Sequence, residues 1–519
     1  MVSANSVNQV AEANSPSIPN YEWQFLSPSE KAAVNASISA IMTQRIKDIT
    51  VNTADSSGVP YTGKLEVTQT STEFLNWHGW TEGDWADYIA LDTSHSFEYE
   101  MDWSQIEPVR GTWDFSGADW NFANAWAHGM TEFHIWLGPY FGPCCYSFPA
   151  WTKPFEKSAL SNASDYEALK DAMHDYVGAV VSHYKGRLQG TMMYELWWEA
   201  NAWYGNGHWP LDRIVDIIKM EALTIRGIDP SARISIDLVY LTPDGIQFET
   251  SNFGSSNWTT GYFAQQLLAA GVPFDVLGLE THIGTGGEDT AGDVATLYNW
   301  LNEIAKLGKP LFIWEDGLES YLPPGFEAQM GKQWCSSLWH GTPSEAKQAE
   351  YMVAETLVYL GNPSVIGVHW LRVSDESPLS NNLSNAGVLY ANGTRKMSYY
   401  ALERLWNSLM VNATVQTVNG VGTFGGLAGN YLISADGYQV SPSVIYVTEG
   451  KQNGFSLVLR STASVAGATS TTSASVPANT TVAASAPQTV GNPVLILGGA
   501  LGIVIVIAGI ILRRRKPSS

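Results

Sequence analysis

Cysteine is scarce in this 519-residue chain: there are three, Cys144, Cys145 and Cys335, and two of them are adjacent. Such a set makes no disulfide framework, and the spacing does not select which of the pair, if either, would bridge to Cys335. No CxxC pair and no HExxH run occurs, so a zinc site is not expected, and neither is any other metal or cofactor. Charge is sparse as well, at 15% of residues, and positive charge is the scarcer sign: 28 Lys and Arg stand against 50 Asp and Glu, a net charge of −22. A surface of that sign repels a polyanion, and no basic patch interrupts the soluble part, which excludes nucleic acid as a partner. No Gly-rich phosphate loop follows an early apolar run, which sets a doubly wound dinucleotide fold aside. The first twenty residues (MVSANSVNQVAEANSPSIPN) lack the charged and apolar regions of a signal peptide, so a leader ahead of the present start is expected.

Aromatic residues are abundant, with 21 Trp and 23 Tyr. They suit a large core or platforms on which sugar rings stack. The C-terminal end carries a long uncharged run, Val494 to Leu512 (VLILGGALGIVIVIAGIIL), followed at once by RRRK. Its length matches a bilayer core and the basic residues mark the cytoplasmic side. We therefore expect one C-terminal transmembrane helix (494–512), a cytoplasmic basic tail (513–519), and a single-pass cell-membrane protein with its catalytic domain extracellular. Residues 461–493, rich in Ser, Thr and Ala, cannot build a core and read as a stalk, and seven N-x-S/T sequons fit a glycoprotein.

Between an N-terminal extension (1–60) and the stalk, short apolar runs alternate with amphipathic segments. The runs are KLEVTQT (from Lys64), SFEYEM, EFHIWLG, TMMYELWWE, RISIDLVY, VLGLETHI, PLFIWED and IGVHWLRV. Eight β units alternating with helices predict an α/β fold, a (β/α)8 TIM barrel over 61–410. Residues 411–460 hold short alternating segments split by Gly and Asn, and read as a small C-terminal β appendage.

Two glutamates close barrel strands: Glu199 after the fourth run and Glu315 after the seventh. Catalytic groups of such barrels come from that rim. Two facing carboxylates, one held protonated and one ionised, are what retaining glycoside hydrolysis needs. Trp197, Trp198 and Trp314 beside them offer apolar surface that raises a carboxyl pKa, and planes for a sugar. Strand alternation puts Glu195, Trp197 and Glu199 on one inward face.

Several segments resemble glycoside hydrolase clan A, and family 10, the endo-β-1,4-xylanase family, most of all. They are YEMDWSQIEPVRGTWDFSGADWNFANAWAHGM, IDPSARISIDLVY, GVPFDVLGLETHIG, LGKPLFIWEDG, QAEYMVAETLVYLGNPSVIGVHWLRVSDES and GVLYANGTRKMSYYAL, in family order over about residues 95–408. The resemblance implies Glu199 as general acid/base and Glu315 as nucleophile. It implies substrate-binding roles for His134, Trp198, Glu280, His282, Trp314 and Trp370, with His282 orienting the nucleophile and Trp370 lying under the sugar. Trp198 stands where clan members place an asparagine that bonds the sugar 2-hydroxyl. Tyr99, Asp102 and Glu280 replace other sugar-gripping residues. Glu280 beside Glu315 should raise the pKa of one of them unless a cation such as Arg372 pairs with it. The expectation is a retaining hydrolase cutting β-linked polysaccharide or oligosaccharide (xylan, cellulose, mannan or β-glucan type) at the cell surface, endo-acting rather than exo. An exo-acting β-glycosidase and a non-catalytic glycan-binding barrel are the alternatives.

Overall fold

The computed structural model describes residues 16–79, 85–138, 148–156, 158–188, 190–202, 209–239, 258–281, 292–322, 324–325, 338–376, 382–451 and 453–462. Two strands come first, β1 (Lys47–Asp55) and β2 (Gly63–Gln69). Eight then alternate with helices: β3 (Leu75–His78), β4 (Ser96–Glu100), β5 (Glu132–Trp136), β6 (Thr191–Leu196), β7 (Arg233–Leu238), β8 (Val276–Leu279), β9 (Leu311–Asp316) and β10 (Val365–Trp370). Six short strands close the described chain: β11 (Asn412–Thr417), β12 (Val421–Gly426), β13 (Gly429–Ser434), β14 (Tyr438–Ser441), β15 (Val444–Val447) and β16 (Gly454–Ser461).

The strands β3 to β10 form one parallel sheet in the order β3-β10-β9-β8-β7-β6-β5-β4. Its two ends, β3 and β4, lie side by side, and Ser94 Oγ, just before β4, accepts from Asn76 N of β3 at 3.0 Å. This is the expected eight-stranded barrel with helices outside. Seven of its strands are the runs read from the sequence; the first is not. KLEVTQT belongs to β2, which pairs with β11 and β13 outside the barrel. The reason lies in its pattern: Leu65, Val67 and Gln69 are buried while Lys64, Glu66 and Thr68 are exposed. Such alternation suits a sheet wet on one face, whereas barrel strands are covered on both. The true first strand, LNWH, is buried at all four positions.

The β appendage is correspondingly larger than expected. Two four-stranded sheets, β12-β1-β16-β14 and β11-β2-β13-β15, face each other over a separate core that includes Val51, Val67, Phe424, Ile433 and Leu457. Residues 47–69 thus serve the sandwich rather than an extension or the barrel. Among the described residues no helix is long and apolar enough to cross a membrane; the run 494–512, the stalk and the basic tail lie outside them.

The barrel interior is filled in layers. Trp77, His134, Ser235, Gly278, Trp314 and His369 point inward at about one level, joined by ring contacts and by the bond from Trp314 Nε1 to Ser235 Oγ (3.2 Å). Gly278 is bare because the indole of Trp314 takes its space: an added Cβ would meet Trp314 Cδ1 at 2.3 Å and the Ile236 carbonyl oxygen at 2.9 Å. A Gly278→Ala variant is therefore expected to lose about 1–3 kcal/mol of stability through overpacking. Denaturant titration checks this, and an unchanged midpoint would contradict the layer.

Candidate active site at the barrel mouth

Side chains two residues beyond an inward position point inward again, one level nearer the C-terminal ends of the strands. That rule builds the mouth. Glu195 follows Met193 on β6, Asp237 follows Ser235 on β7, and Glu280 follows Gly278 just past β8. On β4, Glu98 approaches His369 Nδ1 to 3.4 Å, and Glu100 stands one step higher, in register with Trp136, which is itself in register with Glu195.

Glu315 reaches the same ring by a local irregularity. Opposite Val368 and Trp370 stand Ile313 and Asp316, so β9 carries one residue more than its partner over this stretch. A bulge of this kind lets two successive side chains, Trp314 and Glu315, share the interior. Asp316 is turned outward, where Tyr359 Oη donates to its Oδ2 at 2.5 Å and Gly317 N to its Oδ1 at 2.6 Å. Both Glu355 and Tyr359 of the helix Glu345–Gly361 bond this carboxyl, which pins the bulge from behind.

The end of β6 is held differently. The strand stops at Leu196, and Trp197 and Glu199 both adopt left-handed backbone (φ 49° each). Such φ is uncommon for side chains of this size and marks a constrained turn. Asp237 Oδ2 accepts from Glu199 N at 3.2 Å, and Asn201 clamps the turn to β7 by accepting from Val239 N at 2.9 Å and donating to its carbonyl. Alternation therefore ends before Trp197, which is fully buried with its ring beside Trp209. It does not share a face with Glu195 and Glu199.

Trp198 reaches across to β8, where its Nε1 donates to Glu280 Oε1 at 2.7 Å. Trp198, expected to touch the sugar, thus holds another carboxyl of the mouth. Arg372 does not pair with Glu280; it bridges to Glu376 at 2.5 Å and extends its charge to Glu100. Burial, and after it the charges of Asp237, Glu315 and Glu199, push the Glu280 carboxyl well above the usual carboxylate range. Burial likewise raises Glu98 and Glu195, reinforced by the carboxylates around them, and lifts Glu100 to about 7 against the pull of Arg372. Asp237 is raised too, to about 6, chiefly by burial, with the Glu280 carboxyl close beside it.

The other expected site residues divide. His134 is fully enclosed under the mouth against the ring of Trp77, with Phe312 farther away, and burial holds it neutral. Trp314 is fully buried in the same layer. Both support the floor of the mouth from below. Trp370 is a correction: with His369 inward, the next side chain faces out, and its ring lies between His78 and Tyr359 at the helix layer. It cannot serve as a sugar platform. His282 lies outside the described residues, as do the three cysteines. Glu98, Glu100, Glu195 and Asp237 join the mouth without having been singled out as site residues from the sequence. Their signal was an acidic residue inside an otherwise apolar barrel strand, in SFEYE, TMMYEL and RISIDL, where an inward carboxylate is costly unless it has work to do. Among the described residues no group of three His, Cys, Asp or Glu side chains is arranged to hold a metal ion.

No protein-family model matches the chain. Solved structures similar to it include xylanases. Native xylanase 10B from Thermotoga maritima is 18% identical with a TM-score of 0.47, covering 64% of this chain and 95% of that one. Xylanase 10B from Thermotoga petrophila in complex with xylobiose is 18% identical with a TM-score of 0.46, covering 64% and 94%. A variant of xylanase 10C from Cellvibrio japonicus in complex with xylopentaose is 16% identical with a TM-score of 0.47, covering 66% and 69%. At these identities and TM-scores the likeness says nothing of the chemistry at the mouth.

Proposed function

We propose that the chain is a retaining glycoside hydrolase of β-linked polysaccharide or oligosaccharide. The observation that carries the reading is that the charges of Glu199, from the end of β6, and of Glu315, from the bulge of β9, both bear on the one carboxyl of Glu280. Two carboxylates from different strands therefore converge on one mouth, as acid-assisted displacement at an anomeric carbon requires.

In the proposed reaction Glu199 donates a proton to the leaving oxygen while Glu315 attacks the anomeric carbon and forms a covalent glycosyl-enzyme. Glu199, now ionised, takes a proton from water, which releases the sugar with its configuration kept. The strained turn at Glu199 and the braced bulge at Glu315 fix both groups on the ends of rigid strands. Pre-placement of this kind lowers the cost of reaching the transition state. Outward display at the cell surface, anchored by 494–512, belongs to the same proposal and rests on the sequence pattern.

The test is a reducing-sugar screen over xylan, cellulose, mannan and β-glucan with wild type and a Glu315→Ala variant side by side. Release by wild type and none by the variant is expected on at least one substrate. Equal release by the variant would sink the assignment.

A further inference from the structure

At the floor of the mouth Glu100, Met101, Trp136, Gly138, Glu195 and Trp198 line a cavity of about 10 Å³, room for a single water-sized group. Glu195 is 2% exposed, and neither of its carboxyl oxygens has a hydrogen-bond partner among the described residues. A buried carboxyl left that way is costly, and such exceptions call for a partner that arrives from outside. Two carboxyls and two indoles around a space of this size match one chemical group. A primary ammonium is about as large as water, donates three hydrogen bonds, carries the charge the carboxyls lack, and is attracted by an indole face.

Among the described residues no lysine or arginine lines this pocket. Among the described residues Arg372 is the one whose charge reaches this pair, at Glu100, and it is already bridged to Glu376. The connections that follow β6, β7 and β8 contain no lysine and no arginine before their helices. A neutral sugar hydroxyl could bond one oxygen of Glu195 but, unlike an ammonium, brings no positive charge to draw the raised carboxyls of Glu195 and Glu100 into their ionised form.

We propose that this pocket is an ammonium subsite, and that the preferred substrate is a β-linked glycan carrying free primary amines, of the 2-amino-2-deoxy sugar class. The inference rests on the hydrolase reading for turnover, but not for binding. The substrate's ammonium enters between Glu195 and Glu100, with Trp136 and Trp198 as its walls. N-acetylation would remove its charge and enlarge the group beyond the cavity.

Wild-type kcat/KM on β-1,4-linked glucosamine tetramer, its N-acetylated form, xylotetraose and cellotetraose tests this. Calorimetric binding of the same four to wild type and to a Glu195→Gln variant, verified as folded by its melting curve, completes it. A preference of tenfold or more for the free amine, lost in Glu195→Gln, is expected. Hydrolysis of a neutral tetramer with no amine preference overturns the subsite and leaves the hydrolase standing. Amine binding that Glu195→Gln abolishes, without cleavage of any tetramer, supports the subsite and overturns the hydrolase. Neither binding nor cleavage of the amine tetramer overturns the subsite, and the substrate comparison in wild type decides this even if the variant does not fold.

Discussion

Replacing Glu315 by glutamine is expected to lower kcat by about 10⁴-fold or more on the best glycan, with KM little changed. Glutamine keeps the shape and hydrogen bonds of the side chain but cannot attack the anomeric carbon, so the loss falls on the chemical step. Replacing Glu199 by glutamine should cost less, about 10²–10⁴-fold, the usual worth of a positioned acid. The Glu199 loss should shrink on aryl glycosides, whose leaving groups depart without protonation, whereas the Glu315 loss should not. Steady-state kinetics on one glycan and one aryl glycoside separate the two roles. If both variants lose the same factor on both substrates, the division of labour is wrong.

The second large effect concerns stability against pH. Burial holds Glu98, Glu195 and Glu280 well above the ordinary carboxylate range and brings Glu100 to about 7. In the unfolded chain each returns to about 4.3. A carboxyl whose folded pKa is raised binds its proton more tightly in the folded state. Its contribution is therefore complete below pH of about 4 and is lost as pH climbs through the folded value. For Glu100, which is partly exposed, that amounts to roughly 1–3 kcal/mol lost between about pH 4 and 7. Melting temperature is thus expected to fall by several degrees between pH 5 and pH 8. Relief of overall acidic repulsion acts in the same direction, so a Glu195→Gln variant is needed to isolate the mouth. It should raise the melting temperature at pH 8 and flatten the slope. A variant less stable than wild type at pH 8 would contradict the account.

The barrel was legible because its strands are continuous apolar runs at helix-separated intervals, and the placement of Glu199 and Glu315 at strand ends was legible because they end two of those runs. What stayed hidden has physical causes. LNWH is four residues long and carries an Asn and a His, so it lacks the apolar signature that KLEVTQT displays at every second position. Asn76 is accommodated only because its side chain donates to the Leu91 carbonyl at 2.7 Å. The outward face of Trp370 was hidden because facing depends on register: an extra residue in β9 opposite His369 turns Glu315 in and Asp316 out, while β10 has its own irregularity earlier, between Val365 and Gly367. Nor could spacing foretell that Trp198 bonds Glu280, since 82 residues separate them.

The most direct measurement is azide rescue on an aryl β-glycoside of the preferred sugar. With Glu315→Ala, azide should take the nucleophile's place and yield the α-glycosyl azide. With Glu199→Ala, it should capture the glycosyl-enzyme formed on Glu315 and yield the β-glycosyl azide. Opposite anomers from the two variants are the expected result; the same anomer from both, or no azide product from either while wild type turns over, would contradict it.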